Sequence, residues 1–78
     1  MQIERLIEEI AKALVDNPDD VSVKRIDGEQ TVVYELRVNQ SDLGKIIGKS
    51  GNMIQSIRTL LRAASAKIGR RLMLEVIE

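Results

Sequence analysis

Two glycines three residues apart, Gly48 and Gly51, bracket a lysine and a serine in the segment Gly44-Lys45-Ile46-Ile47-Gly48-Lys49-Ser50-Gly51-Asn52-Met53-Ile54. Glycine lacks a Cβ, so backbone amides from Gly48 to Gly51 can approach an anion closely and take dihedrals that other residues avoid. A helix starting at Asn52 adds free N–H groups and the positive end of its dipole at the same spot. Lys49 adds a mobile positive charge. These residue types suit the holding of a phosphate by main-chain amides rather than the making or breaking of bonds.

Gly48-Lys49-Ser50 also matches the end of a nucleotide-binding P-loop. That motif needs four residues between its glycines and must follow a strand. Here three residues separate Gly44 from Gly48, and a helical turn precedes the loop. Spacing and context both argue against a P-loop.

Other chemistry is scarce. With no cysteine and no histidine, the chain has no thiolate ligand, no cysteine nucleophile and none of the commonest general base. Asp16, Asp19 and Asp20 cluster beside Pro18, where capping and solubility account for them. No enzyme activity, metal, cofactor or small-molecule substrate is expected. No apolar run approaches the roughly 20 residues that span a bilayer. The start Met1-Gln2-Ile3-Glu4-Arg5 lacks the pattern of a signal peptide, so a cytoplasmic protein is expected.

The 78 residues carry 12 basic and 12 acidic side chains, net zero. Their distribution is uneven. Residues 1–42 hold an excess of acids. From Leu43 to Leu74 there are Lys45, Lys49, Arg58, Arg62, Lys67, Arg70 and Arg71, and no acid. Such asymmetry points to an anionic partner, and it surrounds the glycine loop.

The elements that must position this loop follow from periodicity. Ile3, Leu6, Ile7, Ile10 and Leu14 recur at helical spacing and predict a helix over residues 2–15, stopped before Pro18. Val21, Val23 and Ile26 mark a strand, and Asp27-Gly28 a hairpin turn. Val32, Tyr34, Leu36 and Val38 alternate with polar or mixed positions in a second strand. Ser41 is expected as an N-cap, with Asp42 favoured by the dipole in the first turn of a short helix. A longer helix from Asn52 carries the stripe Ile54, Ile57, Leu61, Ala64 and Ile68, ending at Gly69. Leu72, Leu74 and Val76 alternate in a last strand. The order α-β-β-α-α-β fits one domain over 1–78, an α+β fold in two layers.

At these residues the chain resembles a KH domain, whose GXXG loop clamps the backbone of about four nucleotides. Ile46-Ile47-Gly48-Lys49-Ser50-Gly51-Asn52-Met53-Ile54 follows the family pattern of apolar-Ile-Gly-x-x-Gly-x-x-Ile. The helix and strand that precede the β-α-α-β core resemble the type II arrangement. That implies a three-stranded mixed sheet covered on one face by three helices. Asp42 to Gly51, with Ile57-Arg58-Thr59-Leu60-Leu61, is similar to the bacterial KhpA family over essentially the whole chain. Asn52 stands where members often carry arginine, and its amide keeps a hydrogen-bond donor there.

The resemblance implies single-stranded RNA as partner, an RNA-chaperone or post-transcriptional role, and a homodimer or a heterodimer with a KhpB-like KH protein. It also assigns roles. Lys49 and the amides of Gly48, Ser50 and Gly51 hold phosphates, with Asn52 beside them. Ile46 or Ile47, with Ile54, floors the base groove, and Lys45 and Arg58 add charge at its rim. Arg62, Lys67, Arg70 and Arg71 read as solvated surface.

Tyr34 is the only aromatic residue. Base stacking, worth about 1–3 kcal/mol per base, is therefore missing. Weak, low-specificity binding per copy is expected, strengthened by pairing. A protein-interaction adaptor is the rival reading, but a degenerate loop would mark it and this loop is intact.

Overall fold

The computed structural model describes residues 2–77; Met1 and Glu78, included in the expected 1–78 domain, lie outside the described residues. The first helix, α1 (Ile3–Leu14), turns Ile3, Ile7 and Ala11 inward. Ala11 was absent from the predicted stripe because alanine carries little periodic signal, while Leu6 from that stripe stays partly exposed. On the outer side, Arg5 pairs with Glu9 and Lys12 with Glu8, each one turn apart. The chain leaves the helix through extended Val15 into a 3-10 turn at Pro18–Asp20, where proline's fixed φ suits a first position.

β1 (Ser22–Asp27) and β2 (Thr31–Arg37) form an antiparallel hairpin with Asp27 opposite Val32. Gly28 N donates to Thr31 O at 2.8 Å, and a Cβ on Gly28 would stand 2.9 Å from that oxygen. β3 (Arg71–Ile77) pairs parallel to the other side of β2, giving the order β1-β2-β3. A parallel neighbour requires a crossover. Here α2 (Leu43–Ile47) and α3 (Asn52–Ile68) supply it.

Helices and sheet meet through one face. Val32, Tyr34, Leu36, Leu72 and Leu74 of the sheet share a core with Ile3, Ile7, Ile46, Ile54, Ile57 and Leu61. Each buried aliphatic side chain contributes about 1.5–3 kcal/mol. Tyr34 lies in this core, where burial pushes its phenol up from the usual value, so it offers no stacking surface. Ile26, one of the residues that mark this strand in the sequence, lies opposite Val33 and is exposed. The architecture is the α-β-β-α-α-β order with a three-stranded mixed sheet, consistent with a type II KH fold.

Candidate nucleic-acid interface

The short helix α2 is aimed from its N-terminal side by residues far away in sequence. Ser41 does not cap it. Asn39 instead caps the turn that precedes α2, its side-chain oxygen accepting from both the backbone N–H and the hydroxyl of Ser41. A 3-10 turn at Gln40–Asp42 then leads into α2. Asp42 is 1% exposed rather than a surface partner of the dipole. Its carboxylate accepts from the backbone N–H groups of Asp16 and Asn17 and from Asn17 Nδ2, at 3.1–3.2 Å. Burial pushes this carboxyl up, but those hydrogen bonds and Lys45 outweigh it and hold it below the usual carboxylate range.

Beyond α2 the backbone turns sharply. Gly48 sits at φ 78°, ψ 174°, a region open essentially to glycine alone. Ser50, at φ 56°, is the one non-glycine residue with positive φ among the described residues, and Gly51 follows at φ 76°. Gly51 N donates to Gly48 O at 3.1 Å, closing a tight loop whose tip carries exposed Lys49 and Ser50. Gly51 also occupies the N-cap position of the 17-residue α3, and no side chain caps that end. The N–H groups of Gly48 and Gly51, expected to hold phosphate, are thus donated to Gly44 O and Gly48 O, and what the head of α3 offers an anion is its dipole, with no competing side chain.

The other expected site residues separate into groups. Ile46 has 0% exposure and props the loop from inside the core, so it is not available as a groove floor. Ile47 is 43% exposed next to Gly48, whereas Ile54 retains only 6%. Asn52 is exposed at the start of α3. Lys45, expected as a free rim charge, lies 3.2 Å from Asp16 Oδ2 and 3.5 Å from Asp42 Oδ1. The hydrogen bond to Asp16 raises its pKa above the ordinary lysine value.

Arg58 reaches from α3 toward the Leu74 carbonyl of β3, at 3.5 Å. It opens a groove of about 400 Å³ between α3 and the free edge of β3, lined also by Arg62, Ser65, Arg71 and Met73. Among the described residues no acid lies within ion-pairing distance of Lys49, Arg58, Arg62 or Arg71. Arg62 and Arg71 were read from the sequence as solvated surface. Their convergence on one groove depends on α3 lying against β3, and the acid-free stretch was its only sequence signal. Arg70 behaves differently, pairing with Asp27 and donating to the Gly28 carbonyl, which ties the hairpin to the start of β3.

On another side, α1 and α3 leave a largely apolar groove of about 540 Å³ among Leu6, Leu60, Ala63 and Ile68. Leu60 is 55% exposed there. Among the described residues, no group of three or more acidic side chains is set to hold a metal ion, and no helix is long and apolar enough to cross a membrane.

Comparison with known proteins bears on the fold and the family. A solved structure of Era in complex with MgGDPNP and nucleotides 1506-1542 of 16S ribosomal RNA superposes with a TM-score of 0.58 at 23% identity. The match covers 96% of this chain and 30% of that one, and it bears on the fold alone. The protein from Aquifex aeolicus named RNA-binding protein KhpA is 52% identical over 73 residues, covering 94% of this chain and 92% of that protein. Its namesake from Borreliella burgdorferi is likewise 52% identical, covering 94% and 89%. Residues 4–76 match the family described as KhpA/KhpB, KH domain, and with these relatives the chain belongs to that family.

Proposed function

We propose that this protein binds short single-stranded RNA without catalysis, gripping the phosphate backbone at Gly48-Lys49-Ser50-Gly51. The observation that carries the reading is the loop: three residues at positive φ, an exposed lysine and an uncapped helix head share one point. Relatives named RNA-binding proteins support the choice of anion. Ile47 provides the exposed apolar contact for a base. From the loop the strand follows the groove between α3 and β3, where Arg58, Arg62 and Arg71 meet successive phosphates.

Affinity per copy is low and specificity slight, because no aromatic side chain stacks on a base. Useful affinity then comes from pairing, as a homodimer or with a KhpB-like KH protein in the cytoplasm of a bacterium. The exposed Leu6, Leu60 and Ile68 face supports pairing through α1 and α3, away from the glycine loop.

The test is a salt-titrated binding assay with short single-stranded RNA. Lys49→Asp/Ser50→Asp is expected to abolish detectable binding while the protein remains folded. Arg62→Ala and Arg71→Ala are each expected to flatten the salt slope by about 0.7. Undiminished binding by the double-acid variant removes the loop from the site. A wild-type slope near zero removes phosphate-led binding altogether.

A further inference from the structure

The pairing of Lys45 bears on how tightly the loop can hold RNA. Two carboxylates flank its ammonium, and they are not equivalent. Asp42 is buried and already accepts three hydrogen bonds from residues 16 and 17. Asp16 keeps its side chain 78% exposed, and Lys45 is its one ion-pair partner among the described residues. The backbone N–H of Asp16 is anchored on Asp42, which fixes its carboxylate beside α2. Lys45 lies three residues before Gly48, about 4.5 Å along the helix axis. The backbone of Lys45 therefore stands within about a Debye length of the loop, roughly 8 Å at physiological salt.

Resting on the reading of the Gly48–Gly51 loop as an RNA clamp, we propose that Asp16 limits the affinity of that clamp by holding Lys45 back from the RNA backbone. A phosphate reaching the α2 side of the loop must compete with the Asp16 carboxylate for the lysine. It also meets the repulsion of that carboxylate. Asp20, which accepts a hydrogen bond from Asn39 Nδ2 at 3.0 Å, extends the negative ledge along the same segment. The arginines of the α3–β3 groove face no such competitor. RNA is thereby directed away from the acidic turn and along Arg58, Arg62 and Arg71. The restraint is small by nature, because an exposed ion pair is readily broken. Its use is selective. A clamp kept weak in one copy retains RNA only where two copies act together.

Asp16→Asn tests this, since asparagine keeps the size of the side chain and the backbone N–H that Asp42 requires. Binding of a fluorescently labelled short single-stranded RNA is measured across a salt series for wild type, Asp16→Asn, Lys45→Ala and the double variant, with thermal melts for each. Asp16→Asn is expected to lower Kd by roughly two- to fivefold at low salt, the worth of an exposed ion pair. Its salt slope is expected to steepen by about 0.7, one further phosphate contact. Tighter binding is a readout that structural damage would not produce. In the Lys45→Ala background the same substitution is expected to lose most of that gain, keeping only the relief of the carboxylate's repulsion. Wild-type affinity and slope in Asp16→Asn would overturn the proposal, and so would a gain that survives in full without Lys45. If wild type binds RNA and Asp16→Asn matches it, only the restraint is lost. If neither binds, the clamp reading fails with it.

Discussion

Gly48 and Met53 stand so close that a Cβ on Gly48 would lie 2.6 Å from Met53 Cβ and 2.9 Å from Met53 N. This contact sets the joint between α2 and α3, and with it the direction in which the loop presents its amides. Two glycines of one motif thus have different reasons to be glycine. Gly48 has no room and a forbidden ψ, whereas around Gly51 no atom would meet an added Cβ within 4 Å.

That difference is measurable. Gly48→Ala combines overlap with a backbone conformation closed to alanine, and is expected to cost about 2–4 kcal/mol in urea unfolding. Gly51→Ala carries only the left-handed backbone penalty, about 1–2 kcal/mol. Equal losses would contradict the packing argument.

Ile46 and Ile47 are neighbours with opposite duties. Ile46→Val, in the core, is expected to lower stability by about 0.5–1.5 kcal/mol and to leave RNA affinity of the folded protein intact. Ile47→Ser, at a half-exposed position, is expected to do the reverse. Parallel chemical denaturation and RNA titration of both variants decide between them.

Asp42 makes stability depend on acid in a stated direction. Burial alone would raise its carboxyl, but the Asn17 and Asp16 hydrogen bonds and Lys45 leave it below the ordinary value of 3.8. The unfolded chain therefore takes up this proton first, so the stabilisation is complete above that value and is lost as pH falls through the folded-state value. Asp42→Asn is expected to melt roughly 5 °C lower near neutral pH, because one of the buried donors loses its acceptor. The gap between variant and wild type should narrow on acidification toward pH 3 or so. Melting curves by circular dichroism that keep a constant gap would remove Asp42 as the cause.

Leu60 tests pairing apart from RNA chemistry. Since it is exposed, Leu60→Asp is expected to change monomer stability by no more than about 0.5 kcal/mol. It should shift sedimentation from the paired to the single species and weaken RNA binding through lost avidity. A variant that still sediments as a pair would move the interface elsewhere.

Local sequence determined a good deal by itself. Helical and alternating periodicities, Pro18 and the glycines were enough for the α-β-β-α-α-β order, since each rests on interactions within a few residues. The glycine spacing and the lysine on which the proposed clamp at Gly48-Lys49-Ser50-Gly51 rests are local signals of the same kind. In α2, however, five residues make less than two turns. Periodicity there could not tell Ile46, inside the core, from Ile47 on the surface. Beyond their pairing with each other, the partners of Asp42 and Lys45 are 25 or more residues away on the turn after α1, and no local pattern encodes such a contact. Arg62 and Arg71 belong to different elements, and only the parallel pairing of β3 with β2, which lays α3 along the sheet edge, brings them to one groove. Charge and apolarity were written in the sequence. Which charges stay free and which apolar surfaces stay open was decided by the tertiary structure, because both depend on residues that only folding makes neighbours.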